Sequence, residues 1–259
     1  MTEAVVQEMN GRIAHLTLNR PDKFNCISKS LLQGLLEGID QAENKRGIRA
    51  IVLSSNGPHF CTGADLDEVR EHSTSYEALD AFISFGHQVM QRLETSPLPV
   101  IAAVQGYCLA GGMELMMTAD VVFAGSDARI GCQHSRYGLV PGWGGTQRLP
   151  RLVGLRRALE LMYSARWLDA ETAADWGLVN SAVNSETLIS TTLQFADELT
   201  QKNPQGIAAI KSLARQGATK PLEEALKLEQ STAVPILMSE NVAEGLRAFS
   251  ERRSPRFKD

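Results

Sequence analysis

The residue types able to support catalysis concentrate in two short segments, Phe60-Cys61-Thr62-Gly63-Ala64-Asp65-Leu66 and Gly106-Tyr107-Cys108-Leu109-Ala110-Gly111-Gly112-Met113-Glu114-Leu115. Each follows a run that reads as a buried strand, Ala50 to Leu53 and Val100 to Val104, and each leads into a helical pattern. A strand that passes into a helix through small residues leaves backbone N–H groups unpaired at the helix start. Two such amides aimed at one point form an oxyanion hole, which stabilises negative charge developing on a carbonyl oxygen. Glu114 stands three residues after Gly111, in the first turn of the second helix. A carboxylate there indicates proton transfer at a carbon alpha or beta to an activated carbonyl. Its flanks, Met113, Leu115, Met116 and Met117, read as buried, and a buried carboxylate without a role is costly.

The elements around these segments follow from periodicity. Val5 to Leu18 alternates on both sides of Asn10-Gly11, the pattern of a hairpin. Ser28 to Asn44 carries a helical stripe of Leu31, Leu32, Leu35, Leu36 and Ile39, with Ser28 or Ser30 as its cap. Tyr76 to Leu93 is helical again, and Val121–Ala124 and Ala128–Ile130 read as short strands. Pairs of strands precede single helices, which predicts stacked strand-strand-helix turns in an α/β fold. From about Leu152 the pattern is mainly helical, with Leu178-Val179 extended and Pro235 breaking the last long helix.

The chain has 259 residues, 43% of them hydrophobic, enough for one good core. Its net charge of −4 argues against general nucleic-acid binding. An anionic ligand would then need local cations, for which Arg20, Lys23 and the Arg252, Arg253, Arg256, Lys258 cluster are candidates. The four cysteines show no metal-site spacing, and free thiols in a reducing cytoplasm are expected. No signal-like segment or membrane-length apolar run occurs, so a soluble cytoplasmic protein without a metal is the reading.

Taken together, F-C-T-G-A-D-L and A-A-V-Q-G-Y-C-L-A-G-G-M-E-L resemble the two signature segments of the enoyl-CoA hydratase/isomerase (crotonase) superfamily. Leu18-Asn19-Arg20-Pro21, Pro141-Gly142-Trp143-Gly144-Gly145-Thr146-Gln147-Arg148-Leu149 and Arg256-Phe257-Lys258-Asp259 extend the resemblance over nearly the whole chain. It implies a crotonase-like spiral of ββα turns over residues 1–200. Residues 201–259 would form a C-terminal helical oligomerisation region, packed in a homotrimer or a dimer of trimers.

The same resemblance assigns the Ala64 and Gly111 amides to the oxyanion hole and makes Glu114 the first of two catalytic glutamates. The second glutamate of hydratases falls twenty residues after the first and seven before the Pro-Gly, and here that position holds His134. A neutral histidine is a competent base near pH 7, so hydration of a trans-2-enoyl-CoA by Glu114 and His134 is the leading expectation. A histidine there also resembles the branch that includes ethylmalonyl-CoA decarboxylase, in which Arg136 would meet a second substrate carboxylate or lie on the surface; a purely structural His134 is the remaining reading. A non-catalytic acyl-CoA- or RNA-binding relative is a third reading, opposed by the acidic charge and by Glu114. The resemblance further points to Lys23, Phe24 and Cys26 for the coenzyme, to Asp65 and Leu66 for its adenine end, and to Lys258 donated across a subunit boundary. Tyr107, Leu109, Val140 and Trp143 would line the acyl pocket, although Tyr107 and Trp143 read equally as packing aromatics. No cofactor is expected beyond the coenzyme A of the substrate.

Overall fold

The structure, a computed structural model, describes residues 3–259. It begins with the hairpin β1 (Val5–Asn10) and β2 (Ile13–Leu18), whose turn residues are Gly11 and Arg12, one position later than the pattern suggested. Helix α1 (Lys29–Asn44) follows, and of the two candidate caps it is the Ser28 hydroxyl that accepts the Leu31 N–H. Then come β3 (Ala50–Ser55), α2 (Leu66–His72) and α3 (Tyr76–Thr95). Two ββα passes are next: β4 (Val100–Val104), β5 (Tyr107–Leu109) and α4 (Gly111–Met116), then β6 (Val121–Gly125), β7 (Arg129–Gly131), α5 (Gly145–Val153) and α6 (Leu155–Ser164). The chain continues through β8 (Leu168–Asp169), α7 (Ala170–Asp175), β9 (Ser181–Val183) and α8 (Leu188–Thr200). It ends in α9 (Pro204–Gly217), α10 (Leu222–Leu237) and α11 (Glu240–Ser250).

Successive passes step between two sheets. One has six strands in the order β1-β2-β3-β4-β6-β9, parallel after the opening hairpin; the other has three, β5-β7-β8. The continuous apolar run of β3 is explained by cover on both faces. Ile51 and Leu53 join the main core with Leu31 and Leu35, while Ala50 and Val52 pack with Ile101 and Ala196 under α8.

Two boundaries differ from expectation. Leu178 and Val179 are buried turn residues, and the extended piece is Ser181–Val183, because Asn180 N–H is the group that reaches the Val122 carbonyl. Pro235 lies inside α10, which runs on to Leu237; the Met238 N–H then bonds the Val234 carbonyl and Ser239 caps the next helix. A proline so near a helix end deletes one ladder bond without stopping the last turn.

The C-terminal helices are anchored by a few buried charges. Lys211 donates to the Leu93 and Leu98 carbonyls and pairs with Asp120, and Arg215 reaches Asp120 and Glu94. Buried Arg49 clamps the tail through the Thr200 and Phe257 carbonyls and the Asp259 carboxylate. Among the described residues no helix is long and apolar enough to cross a membrane.

Candidate active site

The stretch Cys61–Asp65 lies between Ile27 and β5. Ile27 N–H bonds the Gly63 carbonyl and Asp65 N–H bonds the Ile27 carbonyl, so the residues flanking Ala64 are both tied to Ile27. In a parallel bridge of this kind the central residue turns its own N–H to the opposite side. On that side Cys61 N–H bonds the Tyr107 carbonyl and Leu109 N–H bonds the Cys61 carbonyl, which presses the first elbow against the second. Gly112 is required at this contact, since any Cβ there would overlap the Cys61 carbonyl.

At the second elbow Ala110 adopts φ 49° and ψ −120°, an unusual conformation for a residue with a Cβ. Its N–H bonds the Gly131 carbonyl, and the chain then enters α4 at Gly111. Neither the Ala64 nor the Gly111 N–H has a hydrogen-bond partner among the described residues. A Cβ on Gly63 would lie 3.3 Å from the Gly111 nitrogen, so the two elbow backbones are in close contact. Both elbows border one cavity of about 560 Å³.

Glu114 enters that cavity from the first turn of α4, with its residue only 1% exposed. One carboxylate oxygen, Oε1, accepts the Trp143 N–H at 2.8 Å and the Gly145 N–H at 2.7 Å. The other, Oε2, is buried without a hydrogen bond among the described residues, and His134 Nε2 lies 3.6 Å from it, beyond hydrogen-bond range. Burial pushes the Glu114 carboxyl up to about 7 even though both backbone N–H bonds oppose the shift. Burial also pulls the His134 imidazole below its ordinary value, favouring the neutral ring near pH 7. Cys132 Sγ stands 3.3 Å from His134 Nδ1 on the far side of the ring.

Of the residues singled out in the sequence, Ala64, Gly111, Glu114, His134, Lys23, Cys26, Asp65, Leu66, Val140 and Trp143 all border this cavity. Val140 is 76% exposed and stands at the rim, whereas Trp143 is buried. Asp65 is already engaged: it pairs with Arg20 at 2.8 Å and caps α2 through the Asp67 N–H. Arg20 is thereby occupied as well.

Three candidates lie outside the cavity lining, and Lys258 stands apart too. Tyr107 is held in an aromatic stack, 4.2 Å from the His59 ring and 5.1 Å from that of Trp167. Leu109 follows two residues later on the same short strand and is buried in the protein. Phe24 is half-exposed and stacks on His59 at 5.4 Å. Lys258 pairs with Glu240 beside a separate C-terminal groove, so within one chain it does not meet the others. Arg136 is exposed and does not border the cavity.

The sequence reading passed over the opposite wall, Leu79, Phe82 and Ile83 of α3. Their helical spacing is the same whether a stripe faces core or cavity, so no local signal marked them.

The enoyl-CoA hydratase/isomerase family model matches residues 8–259. An enoyl-CoA isomerase/hydratase of Mycosarcoma maydis is 36% identical over 96% of this chain and 93% of its own length. A short-chain-enoyl-CoA hydratase of Clostridium acetobutylicum is 34% identical over 96% of this chain and 95% of its own. The crystal structure of an enoyl-CoA hydratase from Bacillus anthracis superposes with a TM-score of 0.94, at 31% identity, over 98% of this chain and 99% of that one. The paired elbows, the buried glutamate and these matches place the chain in the enoyl-CoA hydratase/isomerase family.

Proposed function

We propose that this enzyme adds water across the double bond of a trans-2-enoyl-CoA thioester. The observation that carries the reading is the free, buried Glu114 Oε2, with His134 Nε2 3.6 Å away, in the cavity that both elbow amides border. The thioester oxygen accepts the Ala64 and Gly111 N–H bonds, which draws electrons from the double bond and stabilises the enolate that forms. Neutral His134 holds a water through Nε2 beside Glu114. The water oxygen attacks the beta carbon and its proton passes to the Glu114 carboxylate. Glu114 then delivers a proton to the alpha carbon, so one water is added and the enzyme regains its starting state. Coenzyme A enters as part of the substrate, with Lys23 and Cys26 at the cavity for the coenzyme and Leu66 for its adenine end, and no separate cofactor takes part.

In the decarboxylase reading Arg136 is the candidate partner for the substrate's second carboxylate. The basic groups bordering the cavity are Lys23, already bonded to Asp67, and His134; Arg136 points elsewhere. Hydration is therefore favoured. Purified protein incubated with crotonyl-CoA should yield the product heavier by one water, with ethylmalonyl-CoA left intact, as followed by mass. His134→Glu should keep or raise that hydration by restoring a two-carboxylate water site. Loss of carbon dioxide from ethylmalonyl-CoA without crotonyl-CoA hydration would overturn the reading.

Residues 201–259 are assigned to assembly with further copies of the chain. Helix α10 buries none of its side chains, and Leu222, Leu237, Met238, Leu246 and Phe249 are exposed on this region. An apolar surface of that kind fits an interface between copies, a homotrimer or a dimer of trimers, which would bring the Lys258 of one copy toward its neighbour. Sedimentation at micromolar concentration should give a multiple of three chains; a monomer would contradict the assignment.

A further inference from the structure

The cavity face of α3 is a helical stripe. Leu79, Phe82 and Ile83 border the cavity, and one turn further on the stripe reaches Gly86. The space that a side chain at Gly86 would fill is occupied by the indole of Trp143, since a Cβ there would overlap its Nε1. The ring meets Phe82 edge-on, with centroids 5.4 Å apart and planes inclined by 68°. Its opposite edge, Cε3 and Cζ3, lies 3.0 Å from where a Cβ on Gly111 would stand. The indole therefore spans the full gap between α3 and the second elbow, and past it the stripe continues as the buried Val89 and Met90.

We propose that the Trp143 indole, seated in the notch left by Gly86, is the end wall of the acyl cavity and limits the enzyme to short acyl chains. The inference rests on the enoyl-CoA reading of this cavity. Two features separate a wall from ordinary packing. The indole N–H is buried without a hydrogen-bond partner among the described residues, a cost that leucine or phenylalanine would fill the same space without. The backbone of the same residue is pinned independently, its N–H on Glu114 Oε1 and its carbonyl on Arg148 Nη1 at 2.6 Å. The ring can thus be changed while the Glu114 contact, which is main-chain, stays.

The test compares wild type, Trp143→Phe, Trp143→Ala and the double variant Trp143→Ala/Gly86→Leu. Affinity for butyryl-CoA and decanoyl-CoA is measured by calorimetry, and kcat/KM for crotonyl-CoA and trans-2-decenoyl-CoA by loss of the conjugated thioester. An added methylene is resisted or accepted by a closed apolar pocket with an effect of tenfold or more. Trp143→Ala should accordingly raise the long-to-short ratio by about tenfold or more in both measurements. Trp143→Phe should raise it less, and Leu at position 86, refilling the notch from the other side, should return it toward wild type. A wild-type enzyme that already favours decanoyl-CoA, or a ratio unmoved in Trp143→Ala, overturns the wall. If Trp143→Ala does not fold, the Phe variant decides: an unmoved ratio overturns the proposal and a raised one supports it. Failure of the hydratase reading shows separately, as absent turnover on both enoyl substrates whatever the binding ratios.

Discussion

The first elbow turns on a glycine, Gly63 at φ 109°, and hands over to α2, a helix that buries none of its side chains. The second turns on Ala110 at φ 49° and hands over to α4, in which every residue from Gly111 to Met116 is buried. Both border the same cavity and carry a backbone N–H without a partner among the described residues, yet the backbone cost sits almost wholly on one side. Gly63 adopts its angle freely, whereas a residue with a Cβ in such a region is strained by about 1–3 kcal/mol. The strained turn is also the one whose helix carries Glu114. Strain persists only where the surroundings over-determine the backbone, and the second elbow is locked by the Gly131 carbonyl, the close Cys61 contact and the buried helix. The first elbow, held by Ile27 and by Asp65 on Arg20, leads instead into a helix with no buried side chain.

The largest expected effect falls on the second elbow's helix. Glu114→Gln keeps shape and the Oε1 bonds but cannot carry a proton, so kcat should fall about a hundredfold or more with coenzyme A affinity retained. Near-normal turnover would remove Glu114 from the mechanism. With Glu114 as the base, wild-type kcat/KM should rise with pH through about 7, the value to which burial pushes its carboxyl. The stability sign is opposite. A raised carboxyl pKa means that the folded state holds a proton the unfolded state releases, so wild-type stability declines from the ordinary carboxyl range up to about pH 7. Glu114→Gln abolishes that decline, and urea titrations of both proteins at pH 5 and pH 8 should reveal it. Equal slopes with pH would mean that the carboxyl is not raised.

Next in size is Gly111→Val. Its side chain would collide with the Trp143 ring and displace the donor amide, which should add about 2 kcal/mol or more to the barrier. A drop in kcat is expected; a change confined to KM would mean that the amide does not act on the transition state.

The smallest effects test the backbone contrast itself. Ala110→Gly should gain up to about 1 kcal/mol in stability, strain relief exceeding the entropy glycine adds to the unfolded chain. Gly63→Ala should lose about 1–3 kcal/mol, because it imports the same strain and meets the Ala110 Cβ at 3.0 Å. Urea midpoints of the two variants moving in the same direction would show that the elbows differ less than their angles suggest.

Much of the site was legible because its residues sit on local signals. Gly63-Ala64 and Ala110-Gly111 are small residues between a strand pattern and a helix pattern, and Glu114 stands out as an acid in an apolar run. His134 was located by counting from Glu114 and from Pro141, and the structure places its ring next to Glu114. Tyr107 and Leu109 misled because they lie in a signature segment: nearness in sequence to Gly111 does not decide which face of β5 a side chain takes. Leu79, Phe82 and Ile83 went unrecognised for the converse reason, since a stripe facing a cavity has the same period as one facing a core.

The sequence alone determined most of the order of elements, the two elbows, a serine cap at Ser28 or Ser30, and the presence of one acid in a buried helix turn. These depend on interactions within a few residues, which spacing and residue type encode directly. Only the tertiary structure decided that Ala64 N–H faces away from Ile27, that Glu114 uses one oxygen on the Trp143 and Gly145 amides and leaves the other free, and that an indole closes the gap at Gly86. Each of these joins segments far apart in the chain, and their meeting is set by how two sheets and α3 pack, which no local pattern records.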